Sequence, residues 1–441
     1  MKRIAFSLLL LGAISFNALG QATKINFTEY DLPNGLHVIL HEDHSTPIVG
    51  VSVMYHVGSK NEDPQRTGFA HFFEHLLFEG SENIGRGEYM KMVQAAGGQL
   101  NANTTQDRTY YYEILPSNQL ELALWMEAER MLHAKIDTTG VETQRKVVKE
   151  EKKQRYDNTP YGQWQPLIFE NAFTKHPYRW TPIGKEQYID EAKLSEFMDF
   201  YKTFYVPNNA VLLVGGDFKP EQAKAFIAKY YGTIPKGTKA IPRPNIVEPA
   251  QTAEKRSTIN DNVQLPGIFM AYHTPKLGTS ESYALELLSQ LLSTGKSSRF
   301  QKAIVDEQEK AVQVGAFQFP SEDPGVMVMV AIGTSGVAPE ELEKSMDAEI
   351  DKVVNNEMSD EEFNKLISQA ENNFIQQNQR MAGVINNLAT YYTFQHNANL
   401  INTELEQYKK LTKADLKRVA QKYLTKNNRV VLYILPKSAK K

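Results

Sequence analysis

The chain has 441 residues, 41% of them hydrophobic and 23% charged, with a formal net charge of −3 and no cysteine. That length supports a large core and two domains rather than one. The near-neutral balance gives no reason to expect nucleic acid or an anionic membrane surface as partner, and the missing cysteines exclude disulfides and thiolate metal sites.

Lys2-Arg3 precede an apolar run from Ile4 to Phe16, and Ala18-Leu19-Gly20 follow with small residues. This is the layout of a secretory signal peptide over residues 1–20, cut before Gln21 and too short to span a bilayer. No cysteine follows the run, which excludes a lipoprotein anchor, and no later stretch reaches the roughly eighteen apolar residues of a spanning helix. The expected mature chain has no integral membrane span and is periplasmic in a Gram-negative host, or secreted in another. It opens with a hairpin, Asn34-Gly35 forming a two-residue turn between strands Phe27–Leu32 and Leu36–His41. Val49–Val57 continues as a strand with Val51, Val53 and Tyr55 on one face.

Next comes Gly68–Phe78, which contains His71-Phe72-Phe73-Glu74-His75. Histidines four apart on a helix project from one face a turn apart, so both imidazoles can reach one ion. Glu74 borders that face, close enough to touch a water on the same metal. Phe72, Phe73, Leu76, Leu77 and Phe78 would bury the helix and hold the ligands still. The order His-x-x-Glu-His inverts the commoner zinc-protease helix and marks a known class of zinc site. A catalytic zinc uses three protein ligands and leaves a position for water. Without cysteine, the third ligand must be His, Asp or Glu.

Gly87–Ala96 reads as a short helix ended by Gly97-Gly98. Gln99–Thr105 is a short polar strand of the kind found at sheet edges, and Arg108–Leu115 is its neighbour. Asn118–His133 is an amphipathic helix. In the helical stretch Val141–Lys152, Gln144, Val147, Val148 and Glu151 share a face. Glu150, the competing candidate for the third ligand, lies about 100° round the helix from Glu151. His176, in the loop His176–Gly184, reads as a loop or capping residue.

A helix, an Asn-Asn turn and a buried strand then occur twice, at Lys193–Val214 around Asn208-Asn209 and at Lys413–Ile434 around Asn427-Asn428. The recurrence argues for a duplicated α/β domain. Between the copies, Ile234–Ala253 contains Pro235, Pro242, Pro244 and Pro249, a semi-rigid linker. In the second half, Ile268–Tyr272, Ala311–Gln318 and Val326–Ile332 read as strands. Ser280–Leu292, Ser298–Glu307, Pro339–Asn355 and Asp360–Gln379 read as helices. No second His-x-x-Glu-His occurs. The expected organisation is a catalytic domain over 24–233, a linker over 234–256 and a homologous inactive domain over 257–437. Each is α/β (α+β), with a mostly antiparallel sheet flanked by helices.

His71-Phe-Phe-Glu74-His75, followed downstream by Arg145-Lys146-Val147-Val148-Lys149-Glu150-Glu151, resembles the pitrilysin/insulinase family of zinc peptidases. In size the chain is similar to the half-length bacterial members, which also resemble mitochondrial processing peptidase subunits. The resemblance implies Zn²⁺ on His71, His75 and Glu151, with Glu74 as general base. It implies a clamshell chamber of which this chain is one half, and peptide substrates added as a strand along Leu100, Asn101, Ala102, Asn103 and Thr104. Two departures stand out. Gln144 replaces a frequent family glutamate. The Arg and Tyr that active members place after a Ser-Ser-Arg start, here Ser297-Ser298-Arg299, are Val305 and Val312. The resemblance therefore implies a zinc-bearing subunit paired with a homologous Arg/Tyr-bearing chain, in preference to a homodimer. The alternative is a non-catalytic, peptide-binding scaffold with a vestigial metal helix.

Overall fold

The computed structural model describes residues 24–437 except Glu357. The expected signal peptide lies outside the described residues. Two helix-flanked sheets make up the fold. The first has six strands: β1 (Thr28–Asp31), β2 (His37–Glu42), β3 (Ile48–Tyr55), β4 (Gln99–Thr104), β5 (Thr109–Pro116) and β6 (Ala210–Gly216). Their order is β1-β2-β6-β3-β5-β4, with only the β2–β6 pair parallel. The second has five: β7 (Lys255–Asp261), β8 (Gly267–His273), β9 (Ala311–Phe319), β10 (Val326–Gly333) and β11 (Arg429–Pro436). Their order is β7-β11-β8-β10-β9, with only β11–β7 parallel.

The helices of the first half are α1 (Phe69–Leu76), α2 (Glu88–Ala95), α3 (Leu120–Leu132), α4 (Thr138–Lys152), α5 (Trp164–Ala172), α6 (Glu186–Glu191), α7 (Leu194–Phe204) and α8 (Pro220–Tyr231). Those of the second are α9 (Ser280–Ser293), α10 (Pro339–Asn355), α11 (Asp360–Gln377), α12 (Met381–Gln395), α13 (Leu400–Thr403), α14 (Leu405–Lys409) and α15 (Lys413–Tyr423).

The repeated Asn-Asn turns do the same work twice. Asn209 donates from Nδ2 to the carbonyl of Phe204 (2.8 Å) at the end of α7. Asn428 donates to Tyr423 (2.8 Å) at the end of α15. The same amides reach His56 O (3.3 Å) and His273 O (3.0 Å) respectively. Each turn thus satisfies a terminal helix carbonyl and launches the strand, β6 or β11, that enters the middle of its sheet.

One face of each sheet is covered by helices from its own half, and the other by a helix from the opposite half. Ile168 and Phe169 of α5 pack on Phe269, Val328 and Leu432 of the second sheet. Val384, Ile385 and Leu388 of α12 pack on Ile39, Met54 and Leu213 of the first. Gly50 and Gly215 make this approach possible, because a Cβ on either would stand 3.0 or 2.8 Å from the Ile385 side chain. Nothing in the sequence periodicity marked this exchange.

A buried ionic cluster joins the halves at the β9–β10 turn. Lys60 Nζ, from the short turn Ser59–Asn61, lies 3.0 Å from Asp107, 2.5 Å from Glu322 and 3.1 Å from Asp323. The prolines of residues 234–254 form no regular element, and Glu248 pins this segment by accepting the backbone N–H groups of Thr174, Lys175 and His176 at 2.7–2.9 Å.

Two local expectations are corrected. The first hairpin does not turn on two residues. Asp31 pairs with His37, and Gly35 N bonds Leu32 O (2.8 Å), so Pro33-Asn34 form the turn and Gly35, at φ +87°, closes it. Proline's fixed φ suits the first central position of a type I turn, and glycine supplies the left-handed residue that follows. The expected helix Ser298–Glu307 is π-wound over Gln301–Glu307.

Candidate metal centre

The metal helix is built from its N-terminus. Gly68 at φ +101° turns the chain into α1. The buried Glu62 carboxyl accepts the N–H groups of Gly68 (2.9 Å) and Ala70 (2.8 Å), two of the donors a helix start leaves unpaired. Burial pushes the Glu62 carboxyl up to about 8, against those hydrogen bonds. Phe69 stacks on Phe197 of α7 (4.6 Å between ring centres), Phe72 leans on the same ring, and Tyr111 OH donates to Phe73 O (2.9 Å). With that face locked, His71 and His75 emerge together, their Nε2 atoms 3.3 Å apart.

Asp137 caps α4 by accepting Gly140 N (2.8 Å). Arg145 bonds the carbonyls of Ile189 and Ala192, fixing α4 beside α6 and α7. This places Glu151 Oε2 3.5 Å from His71 Nε2 and 3.0 Å from His75 Nε2. Glu150 points elsewhere, 58% exposed and 3.8 Å from Lys153.

The three atoms form a triangle with edges of 3.0, 3.3 and 3.5 Å. Tetrahedral ligands at zinc distances of about 2.0–2.1 Å stand about 3.3 Å from one another. Glu151 Oε2 is buried with no hydrogen bond of good geometry, an arrangement that is costly unless a cation joins the set. Donor chemistry and spacing fit a zinc ion. Burial and the neighbouring His75 lower His71 to about 4, so its imidazole is neutral and available as a ligand near pH 7. Burial pushes Glu151 up, but contact with His75 and the proximity of His71 and Arg155 outweigh it and hold the carboxyl below its ordinary value.

Glu74 also offers an oxygen within 4.8 Å of both imidazoles. Thr104 Oγ1 donates to its Oε2 (2.7 Å) from the end of β4, while burial raises its pKa. The strand expected to take substrate, Leu100–Thr104, is the outermost strand of its sheet and pairs only with β5. Asn101 and Asn103 are exposed, Ala102 is buried, and Leu100 and Thr104 are half-buried.

Gln144 donates to the buried Glu79 (2.5 Å), which also pairs with Arg86. A glutamate there would set two carboxylates against each other. Val305 packs on the second core, and Val312 stands 56% exposed on β9. Arg299 is tied to Glu362 (3.0 and 3.1 Å). His176 caps the short turn Pro177–Arg179, its Nδ1 accepting Tyr178 N (3.2 Å). Two contributors escaped the sequence reading. Arg155, 3.1 Å from Glu151 Oε1, had a signal in its i, i+4 spacing. Glu62 had none, because its partners are backbone amides.

Among the described residues no helix is long and apolar enough to cross a membrane. The profile of the insulinase family, peptidase family M16, matches residues 37–184, and that of the peptidase M16 inactive domain matches residues 192–370. The chain is 30% identical over 438 residues to the zinc protease PqqE of Helicobacter pylori, covering 99% of this chain and 98% of that protein. The crystal structure of a protease from Helicobacter pylori superposes with a TM-score of 0.90 at 30% identity, over 94% of this chain and 100% of that one. The periplasmic protease PqqL from Escherichia coli shares the fold, with a TM-score of 0.76 at 19% identity, over 94% of this chain but 48% of that one. The inverted histidine pair, the glutamate that α4 brings to it, the two family profiles and the 30% identity along 99% of the chain lead to one assignment: the chain belongs to the insulinase family of peptidases, family M16.

Proposed function

We propose that this chain is the zinc-bearing subunit of a metalloendopeptidase that hydrolyses unfolded peptides. The observation that carries the reading is the 3.0–3.5 Å triangle of His71, His75 and Glu151 with Glu74 beside it. Zinc bound there supplies a Lewis acid that polarises the scissile carbonyl and lowers the pKa of a water to about 7. An extended peptide hydrogen-bonds along the free edge of β4, which ends at Thr104 and so delivers the peptide to Glu74. Glu74 takes the proton of the attacking water and passes it to the leaving amine. The raised pKa and the Thr104 hydrogen bond suit a carboxylate that must accept and then release a proton.

Val305 and Val312 leave this chain without the Arg/Tyr pair that helps bind the developing oxyanion, a contribution of about 3–4 kcal/mol per donor in other enzymes. A homologous chain bearing that pair completes the chamber. The PqqL match supports pairing, since this chain equals about half of that protein. Activity in the periplasm or outside the cell follows from the leader-like residues 1–20. The same two valines favour the second reading, a peptide-binding scaffold without turnover.

The test is cleavage of an unstructured peptide by the zinc-loaded chain, alone and with a homologous Arg/Tyr-bearing chain. Chelator-sensitive cleavage, lost in Glu74→Gln with zinc retained, is expected. Peptide binding without cleavage under both conditions would establish the scaffold instead.

A further inference from the structure

Arg155 enters the centre described above only as a neighbour of Glu151, through its Nε. It lies one turn beyond Glu151, in the π-wound continuation of α4 (Lys153–Asp157), with Nε 3.1 Å from Glu151 Oε1. That oxygen is the one turned away from the histidines, since Oε2 faces them. Glu151 is its only ion-pair partner among the described residues, and its side chain is 70% exposed. A guanidinium held through Nε keeps its two outer nitrogens in the planar fork that recognises a carboxylate.

Arg155 also lines a cleft of about 570 Å³ between the halves. Tyr161 and Trp164 of the first half and Phe269, Gln313 and Phe317 of the second sheet line it together. Trp164 lies flat on Phe269 (5.4 Å, 7°) and Phe317 meets it edge-on (5.9 Å, 77°). Leu265 O fixes the Tyr161 hydroxyl (2.8 Å). Arg155 is the single charged residue in the lining. The cleft is therefore lined by aromatic rings and one cation, and that cation touches Glu151 of the candidate metal centre.

We propose that Arg155 and this cleft form a selectivity subsite for peptides with a carboxylate close to the scissile bond, the adjoining apolar side chain lying among the aromatic rings. The proposal rests on the reading that peptides bind across this centre. The carboxylate comes from an acidic side chain or from a free C-terminus, and the two are separable by experiment.

The test is equilibrium binding of labelled peptides to the zinc-loaded Glu74→Gln chain, which cannot consume them. Three C-terminally amidated peptides carry Phe-Glu, Phe-Gln or Phe-Lys at the centre, and a fourth ends in Phe-Gln with a free carboxylate. A charge-assisted bond predicts that Phe-Glu binds about 10-fold tighter than Phe-Gln. Arg155→Gln removes the difference, and Arg155→Glu shifts preference to Phe-Lys, with zinc content unchanged in both. Tight binding by the fourth peptide alone assigns the carboxylate to a C-terminus. Equal binding of all four, no binding of any, or a uniform loss in Arg155→Gln accompanied by zinc loss overturns the proposal. The last result would make Arg155 a positioning residue for Glu151. Selective binding by Glu74→Gln, with no peptide cut by the unsubstituted chain in the presence of its partner, supports the subsite and refutes the peptidase reading alone.

Discussion

At the scale of single residues the proposed function separates holding a metal from using it. His71→Ala removes one corner of the triangle, so the chain should bind less than one zinc per molecule by elemental analysis. Glu74→Gln removes no ligand and should retain zinc while peptide turnover falls about 10²–10⁴-fold, the usual contribution of a positioned general base. Turnover within a few-fold of the unsubstituted chain would remove Glu74 from that role. Thr104 holds the Glu74 carboxylate at 2.7 Å, so Thr104→Val loses one hydrogen bond of about 0.5–1.5 kcal/mol. Its kcat should fall several-fold with zinc content unchanged. An unaltered kcat would show that the hydroxyl does not position the base.

At the scale of elements, α1 with its two facing histidines was the most legible part of the chain. A four-residue histidine spacing on an apolar helix puts both imidazoles on one face, and the resemblance carried by Arg145–Glu151 pointed to the glutamate that α4 brings within 3.0–3.5 Å of them. Less legible were contacts that depend on distant backbone, such as Glu62 on the amides of Gly68 and Ala70. A glutamate that serves as a helix cap from outside the helix leaves no periodic trace. The hairpin at Asn34-Gly35 was misread because the preceding Pro33 changes which turn is favoured.

The ionic cluster at the β9–β10 turn is another element invisible in sequence, since Lys60, Asp107, Glu322 and Asp323 come from far-apart segments. Lys60 is 4% exposed, and Lys60→Met would leave the buried Asp107 without its cation and Glu322 with His56 alone. Breaking such a buried pair costs about 3–5 kcal/mol, to be read from chemical denaturation. Burial works to raise the Glu322 carboxyl, but His56 and Lys60 hold it at about 2. Its folded value lies below the unfolded value of about 4.3, so its contribution is complete above that pH and is lost as pH falls towards 2. Glu322→Gln should therefore flatten the acid limb of the stability profile between about 4.3 and 2. An unchanged acid limb would place the pH sensitivity elsewhere.

At the scale of the molecule, the duplication was readable because the Asn-Asn turns repeat in sequence. The exchange of α5 and α12 between the sheets was not, because an apolar helix face does not record which sheet it meets. The exchange makes the halves interdependent. A fragment of residues 24–233 would expose Ile39, Met54 and Leu213, which α12 covers in the whole chain. It should lack a cooperative thermal transition, and a sharp one would show that the first half folds alone.

The exchange also fixes where the halves face each other, at the cleft that Arg155 enters from α4. A path of contacts links edge strand, candidate centre and cleft: Thr104 of β4 bonds Glu74, Glu74 adjoins the two imidazoles, and Arg155 joins Glu151 to the cleft. That path depends on an ion at its midpoint. Anomalous diffraction at the zinc edge from zinc-loaded crystals locates it. We predict one peak per chain, about 2.0–2.2 Å from His71 Nε2, His75 Nε2 and Glu151 Oε2. A peak ligated through Glu74 instead of Glu151, or one away from the two imidazoles, would contradict the account.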